Sequence, residues 1–305
     1  MHGNPNQAQQ NQRIRENLSR IKHIIMVMSG KGGVGKSTVS TNLAYSLALH
    51  GNRVGIMDVD IHGPNVPKML GIEDKQFGGT EEAIEPVQVL ENLYAASIGL
   101  VGYDPDQALI WRGPIKVGLI KQFLGDVVWG DLDYLIIDTP PGTGDETLTV
   151  AQIIPIMAGA IVVTSPQDVS ILDSRKSVNF AVKLNLPVLG IVENMSGFVC
   201  PNCGTVTEIF KSGGGQQAAE ELVVPFLGKI PLEPHIVAAG DAGTPYIASH
   251  PDSVTAQAFS HVIQAMEKQI TLYDAQGLYS KPQRALENVF ERKTAKDYGD
   301  FKPER

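Results

Sequence analysis

Short apolar runs alternate with helically spaced segments along most of the chain. Ile24–Met28, Val54–Met57, Leu93–Ile98, Tyr134–Asp138, Ala158–Thr164 and Val188–Val192 are brief and largely unbroken by polar residues. Such runs predict strands covered on both faces. Between them, Val39, Leu43 and Leu47 recur at helical spacing up to Gly51, which reads as a C-terminal stop. Ile110–Val128, Ser170–Leu184, Gln216–Leu222 and Val254–Ile270 are further helical segments, the third fed by the turn Gly213-Gly214-Gly215. Strands separated by helices predict an α/β fold with a mostly parallel sheet covered by helices on both faces. Residues 1–20 read as a flexible or weakly helical leader, 21–275 as one domain, and 276–305 as a polar tail.

The first strand runs into Gly30-Lys31-Gly32-Gly33-Val34-Gly35-Lys36-Ser37, followed by Thr38 and a helix. This matches G-x-x-x-x-G-K-[ST] in the strand–loop–helix setting that the phosphate loop of P-loop NTPases requires. Glycines let the backbone turn its N–H groups inward at a helix N-terminus, making a nest for phosphate oxygens. Lys36 is expected on the β/γ-phosphates and the Ser37 hydroxyl on Mg²⁺. A glycine turn that merely joins strand to helix is the plain alternative.

Asp58 and Asp60 end the next strand, about twenty residues on, where a dinucleotide-binding fold places a ribose-binding acid. That fold's glycine fingerprint carries no Gly-Lys-Ser, so the two acids fit better as carboxylates ordering Mg²⁺-bound or attacking water. Asp60 could equally cap the loop that follows. Tyr134–Asp138 has the form of a strand delivering Asp138 beside a Mg²⁺ shell. Thr139-Pro140-Pro141-Gly142-Thr143-Gly144-Asp145 makes a stiff turn suited to sensing a γ-phosphate. Asn194, just past another strand, offers an amide to an adenine edge or simply forms a turn.

Composition narrows the partners. Of 305 residues, 43% are hydrophobic and 19% charged, enough apolar material for a sizeable core. A net charge of -8 is a poor match for nucleic-acid backbones, so no nucleic-acid partner is expected. Ile153–Val163, the longest apolar stretch, is broken by Pro155 and Gly159, and the N-terminus lacks an apolar export core. The expectation is a cytoplasmic protein with no membrane partner.

Cys200 and Cys203 are the two cysteines, in Cys200-Pro201-Asn202-Cys203. Paired thiolates can clamp one metal centre but supply half of a four-ligand site. A symmetric dimer would complete it with a second pair. Zinc and [4Fe–4S] both accept four sulfurs, a redox pair has the same spacing, and two small turn residues are the plain reading.

Lys31, inside Lys-Gly-Gly-Val-Gly-Lys, gives the loop a resemblance to the deviant Walker A of the MinD/ParA/Mrp group. The resemblance implies an ATP-linked homodimer in which Lys31 reaches the partner's nucleotide; a solvated loop lysine is the alternative. More of the chain resembles the Mrp/ApbC family of iron–sulfur cluster carrier ATPases. The matching stretches are Ser29–Asn42, Asp58–Leu70, Trp111-Arg112-Gly113-Pro114, Asp138–Thr147, Glu193–Gly204 and Ile230–Gly243. This resemblance implies ATP binding with slow hydrolysis, Asp60 positioning water, Asn194 at the adenine, and a homodimer. It also implies a labile [4Fe–4S] cluster bridged by Cys200 and Cys203 of both subunits and passed to apo-proteins. The leader lacks the extra four-cysteine site of eukaryotic relatives. The rival is a MinD/ParA-like positioning ATPase, which leaves the cysteines unexplained and lacks a visible surface anchor. Lys116, beside Trp111 and Arg112, reads equally as an exposed packing turn, and His62 and His235 as solvated or turn-packed histidines.

Overall fold

The computed structural model describes residues 5–80, 83–101, 113–154, 156–200, 203 and 205–278. Helix α1 (Pro5–Leu18) leads into β1 (Ile21–Ser29), α2 (Lys36–Leu49), β2 (Val54–Asp58) and the short α3 (Val66–Leu70). A hairpin of β3 (Gly78–Thr80) and β4 (Ala83–Glu85) precedes β5 (Val87–Leu90) and β6 (Leu93–Ser97). Then come α4 (Gly113–Asp126), β7 (Leu132–Asp138), α5 (Asp145–Ile153), β8 (Gly159–Thr164), α6 (Asp168–Lys183) and β9 (Val188–Glu193). A small hairpin, β10 (Phe198–Val199) with β11 (Val206–Thr207), is followed by α7 (Gly214–Leu222) and β12 (Phe226–Lys229). Helices α8 (Pro234–Asp241), α9 (Tyr246–Ser249) and α10 (Val254–Ala275) complete the order.

The main sheet has eight strands in the order β12–β9–β8–β1–β7–β2–β6–β5. Its pairings are parallel except that β5 runs against β6. Successive β1 residues face opposite sides: Ile25 and Val27 join the core under α2 and α10, while Ile24, Met26 and Met28 join the core under α1 and α4. Both faces are buried, which is why the strand runs lack polar alternation. The chain passes from β1 to β2 on one side and later fills β8, β9 and β12 on the other, so strand order reverses beside β1. Ligands of open α/β sheets bind off the carboxyl ends at such a reversal. Val27 and Asp58 both lie in register with Asp138, bringing three strand ends to one level there.

The predicted strands and helices appear with boundaries shifted by a few residues, and α2 does stop just ahead of Gly51, whose φ is +88°. The leader departs from expectation. It forms helix α1 and docks on the body, with Ile14 and Leu18 buried to 1% and 2%. Its Asn/Gln-rich composition hid a stripe of two apolar residues four apart, continued by Ile21. Asn17 Nδ2 donates to the carbonyls of Leu124, Gly125 and Val127 at 3.3, 3.2 and 2.6 Å. It thereby satisfies carbonyls that the end of α4 leaves free. Trp111, Arg112 and the tail beyond residue 278 lie outside the described residues.

Truncating Ile14 to Ala is expected to lower unfolding free energy by about 2–5 kcal/mol through loss of burial and a residual cavity. Asn17→Ala is expected to cost about 1–3 kcal/mol by orphaning buried carbonyls. Denaturant unfolding measures both, and a leader that contributed nothing would leave the midpoint unchanged.

Candidate nucleotide site and cysteine hairpin

The phosphate loop sits where the fold predicts. Gly35 has φ +81° and caps α2, and a Cβ there would lie 2.2 Å from Asn194 Nδ2. Gly30 passes so close to α6 that a Cβ would fall 2.1 Å from the Asp173 backbone carbon. Only glycine fits either position. Lys31, Gly32, Gly33, Gly35, Lys36, Ser37 and Thr38 line an open cavity of about 290 Å³, together with Asp60 and Pro141. Val34 instead turns its side chain into the core.

Asp138 is fully buried and organises this end of the sheet. Ser37 Oγ donates to its Oδ2 at 2.6 Å, Ser40 Oγ to its Oδ1 at 2.6 Å, and Lys36 Nζ lies 2.7 Å from Oδ2. Lys36 also donates to Ser37 Oγ at 3.1 Å. A buried carboxylate needs such donors, since an unpaired charge in the interior is costly. The oxygens of Ser37, Asp138 and Asp60 are the hard donor set that Mg²⁺ favours. Ser40 lies outside the sequence motif, although its place one helical turn after Ser37 is the signal that could have found it.

Asp58 is fully buried, and its carboxylate accepts from Asp60 N (3.0 Å), Val66 N (3.3 Å) and Ser97 Oγ (3.1 Å). Burial pushes this carboxyl up to about 8, with the Asp138 charge adding to the effect and the Asp60 N–H and Lys36 opposing it. Asp58 is therefore a structural acid inside the strand ends, not a group facing the cavity. Asp60 does face the cavity, 8% exposed. Burial raises it too, against the pull of Lys36.

The loop after β7 is pinned to β1: Thr139 Oγ1 donates to Val27 O at 2.9 Å and Gly142 N to Ser29 O at 2.7 Å. Asn194, 5% exposed, donates its amide to Val34 O at 2.9 Å. One of its two amide hydrogens is thus taken up by the phosphate loop. Lys31 is half-buried at the cavity rim, and among the described residues its ammonium has no partner.

The cysteines occupy the exposed end of the β10–β11 hairpin, with Cys200 six residues past Asn194. Cys200 N donates to Thr205 O at 3.0 Å, and the Cys203 sulfur lies 3.2 Å from the Thr205 hydroxyl. The Thr205 hydroxyl and backbone N–H, with Cys200, hold the exposed Cys203 thiol below its ordinary range. That favours the thiolate, the metal-binding form. Both thiols are free, and among the described residues no group of three His, Cys, Asp or Glu forms a metal site. Behind the hairpin, Glu193 is fully buried and accepts from Ser196 Oγ (2.5 Å), Gly213 N (2.9 Å) and Gly215 N (2.5 Å). The glycine turn before α7, in sequence a simple helix start, is therefore bonded to the end of β9.

Strand, phosphate loop, helix and a buried acid on the adjacent strand define a P-loop NTPase. The chain belongs to the ParA family in its branch described as NUBPL iron-transfer P-loop NTPase, whose profile matches residues 20–267. A relative named iron–sulfur cluster carrier protein, from Methanocaldococcus jannaschii, is 52% identical over 263 residues, covering 86% of this chain and 90% of its own. One of the same name from Saccharolobus solfataricus is 49% identical over 256 residues, covering 84% and 86%. Among solved structures, a nucleotide-binding protein from Archaeoglobus fulgidus in complex with ADP, with Co found in it, superposes with a TM-score of 0.68 at 39% identity, covering 76% and 91%. MinD from Pyrococcus horikoshii complexed with Mg-ADP gives 0.61 at 27% identity, covering 82% and 98%.

The Asp58 environment makes folding pH-sensitive. A carboxyl still protonated in the folded chain, but ionised when unfolded, makes folding less favourable as pH rises from about 4 to about 8. An asparagine side chain at this position would mimic the protonated acid. Unfolding free energy of the unaltered chain is expected to fall more steeply across this range than that of Asp58→Asn, read by denaturant titration. Parallel profiles would show that burial does not raise this group.

Proposed function

We propose that this chain is an ATP-driven iron–sulfur cluster carrier: two copies bind a [4Fe–4S] cluster on their Cys200 and Cys203 thiolates and pass it to apo-proteins. One observation carries the reading. Two free cysteines, the exposed Cys203 among them held below its ordinary range, supply half the ligands of a four-sulfur site on a chain whose phosphate loop lines an open cavity. A second copy related by twofold symmetry supplies the other half. The cluster is cargo, released as a recipient's thiolates replace these sulfurs.

In this reading the backbone of Gly30–Thr38 cradles the phosphates of ATP, and Lys36 leaves Asp138 for the β/γ-phosphates. Ser37 and Asp138 would hold Mg²⁺, which would supply charge neutralisation at the phosphates, while Asp60 orients the water that attacks the γ-phosphorus as ADP departs. Lys31, without a partner among the described residues, reaches the nucleotide of the other copy. The Asn194 carbonyl is left to meet the adenine amino group. The setting proposed is the cytoplasm, where thiols stay reduced. No described helix is long and apolar enough to cross a membrane. Carrier-named relatives at about half identity over most of the chain weigh more than the MinD likeness at 27%.

Anaerobic reconstitution with iron and sulfide should give a brown species absorbing in the visible, with a mass of two chains and four irons. Cys200→Ser and Cys203→Ser should each abolish it. A reconstituted sample that stays a single chain without iron would overturn the reading. Lys31→Ala is expected to slow ATP turnover roughly tenfold or more while Mg-ADP affinity stays put. Unchanged turnover would remove Lys31 from the chemistry.

A further inference from the structure

Three elements meet beside the nucleotide cavity at one ammonium. Lys116 on α4 donates to Glu146 Oε1 on α5 at 2.6 Å and contacts His62 Nε2 in the β2–α3 loop at 2.7 Å. An ammonium can only donate, so His62 Nε2 accepts. The Lys116 and Glu146 side chains are 15% and 10% exposed, unlike a solvent-screened surface pair, while His62 is 61% exposed. Desolvation raises the Glu146 carboxyl, but Lys116 outweighs it and holds the group below its ordinary range.

The placement of this contact gives it a role. His62 follows Asp60 by two residues in the same loop, and Asp60 and Gly63, on either side of it, both line the nucleotide cavity. Holding His62 therefore holds the loop that carries Asp60. Glu146 lies in the first turn of α5, directly after the loop whose Gly142 is pinned to Ser29. Lys116 thus ties the loop after β2 to the loop after β7, the two segments that flank the phosphate loop.

We propose that Lys116 is a positioning residue for ATP hydrolysis: through His62 it fixes the Asp60 carboxylate toward the attacking water. The inference rests on the hydrolytic reading given above. Rate depends steeply on orientation, since displacement of a reacting group by about an ångström can cost up to about a hundredfold.

The test measures kcat and KM for Mg-ATP, with Mg-ADP affinity alongside, in the full chain. Lys116→Met and His62→Ala are each expected to lower kcat about tenfold with KM and Mg-ADP affinity nearly unchanged. His62→Gln, whose side-chain oxygen can still accept from Lys116, should restore most of the rate. A contact that merely stabilised the fold would not show this rescue. His62→Ala turning over at the unaltered rate would overturn the inference, as would His62→Gln remaining as slow as His62→Ala. If Lys116→Met fails to fold, the two variants at exposed His62 still decide. Mg-ADP binding without any ATP turnover by the unaltered chain would overturn the hydrolytic reading and this inference together; turnover indifferent to the variants overturns this inference alone.

Discussion

A single carboxylate with no solvent contact, Asp138, holds the functional end of the molecule together. Two serine hydroxyls and a lysine ammonium converge on its oxygens, and all three come from the first turns of α2. The helix start, the phosphate loop before it and the end of β7 are thereby locked in one geometry. Removing one partner of such a buried charge cluster leaves the others uncompensated, a change of about 3–5 kcal/mol. Under the proposed function, Lys36 and Ser37 are the two of these groups that a nucleotide and Mg²⁺ would recruit.

Much of this is legible from residues alone. The strand runs, the glycine loop and Asp138 follow from patterns whose physics is local: backbone freedom, period and burial. What stays hidden depends on residues distant in sequence. Nothing near Lys116 announces Glu146 thirty positions later, and His62 reads as solvated because its partner lies on another element. Helix α1 is obscured by polar composition, since Ile14 and Leu18 gain meaning only against the surface of α4. The short strand β12, Phe226–Lys229, carries too few residues to show any period. Asn194 offers a base-reading amide on paper, but one of its amide hydrogens is taken up by Val34 O, a contact no spacing rule encodes.

The two acids after β2 show how burial divides labour between like residues. Asp58 is enclosed by Asp60 N, Val66 N and Ser97 Oγ and shapes the strand end, while Asp60 lines the cavity. Two residues apart, identical side chains meet different dielectric surroundings and so differ in what they can do.

The hairpin bearing the cysteines has no loose stalk. Ser196 N bonds to Ile230 O, Leu232 N to Gly197 O, and Asn194 N to Thr164 O, so the chain leaves β9 stitched on both sides. The base of the hairpin therefore takes its bearing from the sheet. The strand end from which the cysteine segment departs is also the one that braces the phosphate loop, through Asn194 and the Val34 carbonyl.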